Sequence, residues 1–244
     1  MNHDYLNNSK DALKHKITFD IVQTLPGLVL VKDHRYHYVT MNSGLAMLVG
    51  FKNADASVGK TDYDLPCKAK EFADEFIQLD KKVLAAGQQM VTLDIQHYTE
   101  GWVVSIVERN PLFDENHKPI GLFDYVINVT NTPFYKRYLS FFHLDRCVRD
   151  SLIKPASYLL NDKYVPLPLT ARQQECLFLL IRGKTAKQIG AILRLSKRTV
   201  EGHLNRIKET LNCYSKSQLL EKAIDSGFFY YIPKALLKED TETW

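Results

Sequence analysis

The chain contains no apolar run near the ~18 residues needed to cross a bilayer, which excludes a transmembrane helix. Its first sixteen residues, MNHDYLNNSKDALKHK, are polar and offer no signal-peptide hydrophobic region, so a cytoplasmic protein is expected. Cysteine is sparse. Cys67, Cys147, Cys176 and Cys213 lie far apart, form no CxxC pair and mostly adjoin apolar residues, where small buried thiols fit. That spacing argues against a disulfide framework or a zinc site. There is no glycine-rich phosphate loop, no cluster with metal-ligand spacing and no nucleophile–base pairing, so no enzymatic activity is expected. The acidic cluster after an early parallel strand that a phosphoacceptor domain would need is also missing.

What is present suffices for two domains of ordinary size, with 244 residues of which 45% are hydrophobic. A net charge of +4 becomes informative once divided along the chain. Between residues 182 and 208, eight cations (Arg182, Lys184, Lys187, Arg194, Lys197, Arg198, Arg206, Lys208) face one anion, Glu201, a local net of +7, so the remainder carries −3. Such segregation is the electrostatic footprint of a nucleic-acid surface.

The basic stretch has a two-helix pattern. Ile189, Ile192 and Leu193 make one apolar stripe, and Val200, Leu204, Ile207 and Leu211 make another. Between them Leu195 supplies a buried plug and Ser196 an N-cap. Lys197 and Arg198 then stand at the start of the second helix, where cations oppose the helix dipole and a phosphate would supply the charge this end prefers. Around the pair, Thr170 with Gln173, Thr185 with Gln188, and Ser215 with Gln218 form three capping boxes. Gly183 and Gly227 are helix stops, the latter after the stripe Leu219, Leu220, Ala223 and Ile224. A compact all-α unit of four helices is expected over residues 169–227.

The first half reads as an antiparallel sheet interrupted by helices. Runs at residues 28–31 and 36–40 make a hairpin turning at 33–35, and Asn42 or Ser43 caps a short helix closed by Gly50. Phe72, Phe76, Leu79 and Val83 mark a helix over 71–86 that ends at Gly87. Three more β-rich runs follow at 91–98, 102–108 and 120–129, with a turn-rich piece over 110–119. A helical insertion after the second strand would bury one sheet face and leave a pocket between helices and sheet.

Residues 19–130 resemble a PAS domain. The resemblance rests on the LPG entry with its following strand and acidic turn (Leu25, Pro26, Gly27, Lys32, Asp33), Asn42 after the second strand, LVGF followed by VGKTDYDL, and the closing strand GLFDYVINVT. It implies a unit that senses an unidentified signal or mediates dimerisation, with its cofactor or ligand unknown. Flavin photochemistry is disfavoured, because Asp62 stands near the position of the reactive cysteine and Cys67 lies several residues later. Haem is disfavoured too, because the helix at 71–86 holds no histidine, while His37 and His97 fall in strands. Tyr38, Phe76, Tyr98 and Phe123 are the aromatic candidates for lining the pocket.

The segment LTARQQECLFLLIRGKTAKQIGAILRLSKRTVEGHLNRIKETL with the following SKSQLLEKA closely resembles the LuxR-type helix-turn-helix domain of bacterial transcription regulators. Gln173 replaces a usual glutamate. Glu201 and Gly202 stand where many members carry a cation and an aliphatic. The helix beginning at Lys197 would then enter the major groove. Lys197, Arg198, Glu201, Gly202 and Asn205 are the base-reading candidates. Lys184, Lys187, Thr199, Arg206 and Lys208 are the phosphate-positioning candidates.

The expected organisation is an N-terminal arm (1–18), a PAS-like sensor (19–130), a linker helix and connector (131–168), the helix-turn-helix domain (169–227) and a C-terminal tail (228–244). The fold class is α+β, a PAS-like sheet with helices followed by an all-α DNA-binding domain. Expected partners are double-stranded DNA and a second copy of the chain. RNA polymerase and a small-molecule ligand are further partners that this class of regulator admits. A sigma-factor region is a rival, but the β-rich first half lacks the second helical promoter-binding region it needs. A protein-interaction module using the basic helix on acidic partners is another.

Overall fold

The computed structural model describes residues 20–130, 132, 156–160 and 165–237. The expected arm, and most of the expected linker helix and connector, lie outside the described residues. Two compact units are found, one containing the described residues up to Thr132 and the other those from Ser157 onward.

In the first unit, β1 (Leu28–Asp33) and β2 (Tyr38–Met41) form an antiparallel hairpin with Leu30 opposite Met41. The Asp33 carboxylate accepts the backbone N–H groups of Arg35 and His37, which closes the turn where Tyr36 adopts a φ of 69°. The Oδ1 of Asn42 accepts the N–H of Leu45 and so starts α1 (Ser43–Val49), while also accepting the N–H of Val29. Gly50, at φ 93°, ends that helix; a Cβ here would come within 2.7 Å of the Thr99 methyl.

Short 3-10 turns lead into α2 (Ala73–Ala86), which ends at left-handed Gly87. Then come β3 (Met90–Tyr98), β4 (Gly101–Phe113) and β5 (Pro119–Asn128). The strands are hydrogen-bonded in the order β2-β1-β5-β4-β3, every pairing among them antiparallel. β4 is longer than the sequence suggests and includes Pro111. β3 has already ended opposite Arg109, so on that side the proline has no strand to which it fails to donate. α1, α2 and the 3-10 turns cover one face, with Leu30, Tyr38, Met41, Leu45, Val49 and Phe76 in the shared core.

The second unit contains β6 (Ala156–Leu159) from Ser157 onward, bridged through Leu159 to Tyr231, and four helices: α3 (Ala171–Ile181), α4 (Ala186–Leu193), α5 (Lys197–Thr210) and α6 (Lys216–Asp225). All four starts are capped as the spacing predicts. Thr170, Thr185 and Ser215 form reciprocal capping boxes with Gln173, Gln188 and Gln218, and Ser196 accepts the N–H of Thr199. Leu177, Phe178, Ile189, Val200, Ile207 and Ala223 are fully buried between the helices. Residues 228–237, expected to belong to a tail, make two 3-10 turns that bury Phe228, Tyr231 and Leu236; the Tyr231 hydroxyl donates to Gln174 at 2.9 Å. Arg182 stacks on the Phe178 ring at 3.5 Å and donates to the carbonyls of Phe178 and Phe229, so its charge is committed to this packing.

Candidate nucleic-acid interface and sensor pocket

The connection between α4 and α5 is tight because of two residues. Arg194 takes the left-handed conformation at φ 56° and caps α4, and Gly190 lets the Leu195 carbonyl approach so closely that a Cβ would lie 2.6 Å from its oxygen. Leu195 is half-buried and Ile192 is largely exposed, so the α4 stripe is narrower than its spacing suggests and consists of Ile189, Gly190 and Leu193.

On α5, Val200 and Ile207 face the core, flanked by half-buried Leu204 and His203. The opposite face is formed by Arg198, Glu201, Gly202 and Asn205, at i, i+3, i+4 and i+7, all exposed. Lys197 and Lys208 flank it on one side, and Thr199 and Arg206 on the other. Lys197 and Glu201 approach to 3.4 Å across one turn, an exposed pair that holds little energy. The Thr199 hydroxyl lies 2.8 Å from that of Ser196 and is part of the cap. Lys187 is exposed on α4; Lys184 is half-buried before it. A Cβ on Gly202 would meet nothing within 4 Å, so packing does not require glycine there.

In the first unit a cavity of about 60 Å³ lies between the sheet and its helical cover. Tyr38, Phe76 and Tyr98 line it. Phe123 does not: Asp124 and Val126, two apart on β5, line the cavity, which directs Phe123 to the other face.

Ionised groups also line the cavity. The Lys32 ammonium donates to Asp62 at 2.8 Å and to Asp80 at 2.7 Å. The Arg109 guanidinium reaches Asp94 at 3.0 Å, Thr92 at 2.6 Å and Asp80 at 3.4 Å. The Tyr38 hydroxyl donates to Asp62 at 2.7 Å. All six charged side chains of this network, Asp124 included, are buried.

Burial alone would lower the pKa of Lys32, but the neighbouring carboxylates of Asp62 and Asp80 outweigh it and raise the value. The same opposition raises that of Arg109, with Asp94 the leading carboxylate. Burial, reinforced by Asp80, pushes the Asp124 carboxyl up to about 7 against the pull of Lys32 and Arg109.

A family model described as bacterial regulatory proteins of the luxR family matches residues 167–223, and a PAS fold model matches residues 22–132. VqmA of Vibrio cholerae, solved as a dimer in the absence of target DNA, is 30% identical to this chain, with 91% of this chain and 92% of VqmA covered and a TM-score of 0.48. The chain belongs to the LuxR family of bacterial regulatory proteins.

Identity to VqmA extends over nearly the whole length of the chain, and the two family models match its successive parts. Phage VqmA in complex with DPO is 27% identical to this LuxR-family chain, with 96% of each chain covered and a TM-score of 0.47. The transcriptional activator SolR of Ralstonia nicotianae is 45% identical over 74 residues, 29% of this chain and 31% of SolR. The match spans less than a third of SolR and of the activators AhyR and AsaR of Aeromonas.

Sequence reasoning found the exposed face of α5 in this LuxR-family protein but missed the charged lining of the cavity. The signal was present in β3, where Thr92, Asp94 and Gln96 alternate with Val91, Leu93 and Ile95. Alternation of that kind ordinarily sends the polar set to solvent. Here Thr92, Asp94 and Gln96 are all buried.

Proposed function

We propose that this LuxR-family chain is a cytoplasmic, sequence-specific DNA-binding transcription regulator that acts as a dimer, with α5 in the major groove and the PAS unit as a small-molecule sensor. Arg198, Glu201, Gly202 and Asn205 meet base edges, with Lys197 at their margin. Lys184, Lys187, Thr199, Arg206 and Lys208 hold phosphates. Asn205 suits a bidentate contact with adenine, and Glu201, released from Lys197, accepts from a cytosine amino group. RNA polymerase is the partner through which the bound regulator changes transcription.

The observation that carries this reading is the outward face of α5, a row of unpacked polar side chains between flanking cations, on a helix that the fold holds by its opposite side. Among the described residues no helix is long and apolar enough to cross a membrane. The dimeric and DPO-bound states are those of VqmA, and they support the same two roles here.

Fluorescence anisotropy across a salt series tests the assignment of roles. Lys187→Ala should weaken binding to every duplex and reduce the log–log salt slope by about 0.9. Asn205→Ala should leave the slope nearly unchanged and cost about 1–3 kcal/mol of discrimination at one base position. Salt-independent binding to the native chain, or equal effects of both substitutions on all duplexes, would refute the proposal.

A further inference from the structure

The charged network around the cavity does not balance. Two cations, Lys32 and Arg109, are surrounded by four carboxylates, Asp62, Asp80, Asp94 and Asp124, all buried. Lys32 donates to Asp62 and Asp80, Arg109 to Thr92 and Asp94, and the Tyr38 hydroxyl to Asp62. Asp124 has no hydrogen-bond partner among the described residues, although it is 4% exposed and lines the cavity. Its Oδ1 and the Oδ1 of Asp94, which also lines the cavity, are buried acceptors without donors. Buried acceptors in this state are costly unless a donor reaches them.

An anionic ligand would bring like charge to the unpartnered oxygens of Asp124 and Asp94. A neutral apolar ligand would leave both oxygens unsatisfied. A cation carrying N–H groups satisfies them and offsets the charge. The opposite wall, with Leu45, Val49 and Leu65, is hydrocarbon. At about 60 Å³ the cavity has room for a molecule of a few heavy atoms.

We infer that the sensor ligand is a small primary amine whose ammonium N–H groups are received by Asp124 and Asp94, and whose short carbon chain lies against Leu45, Val49 and Leu65. This rests on the reading of the PAS unit as a small-molecule sensor. Lys32 and Arg109 position the carboxylates rather than contact the ligand's charge.

Isothermal calorimetry of the full chain at pH 7 with n-butylamine, 1-butanol, butyrate and DPO tests the assignment. n-Butylamine should bind at least about 30-fold more tightly than 1-butanol or butyrate, the ratio expected for a charge-assisted hydrogen bond in a buried site. Asp124→Asn should weaken the amine about 30-fold and leave 1-butanol unchanged. Val126→Phe, which fills the cavity, should abolish amine binding.

Equal affinities for n-butylamine and 1-butanol on the native chain would overturn the inference without recourse to any variant. So would amine binding that Asp124→Asn leaves unweakened, or that survives Val126→Phe, in a folded protein. Binding of butyrate or DPO in preference to the amine would overturn the amine assignment and leave the sensor reading standing. No binding by any of the four probes would count against both.

Discussion

Each helix of the C-terminal unit is started by a side chain that accepts an amide three residues ahead, at Thr170, Thr185, Ser196 and Ser215. The cavity of the N-terminal unit is held instead by pairs far apart in the chain: Lys32 with Asp62 and Asp80, 30 and 48 residues away, and Arg109 with Asp94, 15 residues away. One unit is built from local instructions, with its function on the outside of a helix. The other places its polar groups inside, where only the assembled sheet brings them together. The first arrangement tolerates substitution at its functional face because that face carries no packing. The second cannot alter its functional groups without altering the core.

The largest expected effect breaks the inner network. Lys32→Met leaves Asp62 and Asp80 buried without the ammonium between them, and should cost the N-terminal unit about 3–5 kcal/mol. Hydrogen exchange resolved by segment should show β1 and β5 losing protection while α5 keeps its own. Equal loss in both units would show that they are not independently encoded.

Gly190→Ala should act in the opposite unit. The new methyl meets the Leu195 carbonyl, a backbone atom that cannot turn aside, at a cost of about 1–3 kcal/mol and with DNA binding lost in proportion. The same segment-resolved exchange should place this effect on α4 and α5.

A third test uses pH. With the folded pKa of Asp124 at about 7, the native state holds a proton that the unfolded chain releases near pH 4, so the native protein loses stability as pH rises from about 4 to about 7. Asp124→Asn removes that loss. The variant should be about 1–2 kcal/mol more stable than the native chain at pH 8 and no more stable at pH 4, by chemical denaturation in the absence of amine. A pH-independent difference would mean that Asp124 does not titrate in this window.

The smallest effect concerns Gly202. Its absent side chain is not required by packing, and glycine inside a helix costs about 0.5–1 kcal/mol relative to alanine. Gly202→Ala should therefore stabilise the C-terminal unit by that amount while weakening or redirecting DNA recognition. Gain of stability with unchanged sequence preference would remove Gly202 from the reading face.

The contrast also explains what the sequence could disclose. Helix starts, the stops at Gly50 and Gly87, and the stripe of Val200 and Ile207 are written in spacings of three or four residues and follow from local physics. The antiparallel sheet with a helical insertion after its second strand was legible as well, from the alternating runs and the stripe of the inserted helix, whereas the order of strands in the sheet was not. Nor was the inner lining. Asp94 alternates with apolar neighbours like a solvent-facing residue, Asp62 sits in a short 3-10 turn, and Asp124 gains its role from lying opposite Leu30 and Arg109 in the sheet. Phe123 was drawn into the pocket by its aromaticity, when its register places it on the other face. Residues 228–237 lack helical periodicity, so their packing through Phe228 and Tyr231 was invisible to spacing.

Selection of bound sequences from a random duplex pool by the full chain tests the central claim most directly. The exposed face of α5 and a dimeric regulator predict an enriched two-fold-related motif with half-sites about 10 bp apart. The preference at one position of each half-site should shift when the selection is repeated with Asn205→Ala. A pool that binds in a salt-dependent manner and yet yields no enriched motif would contradict it.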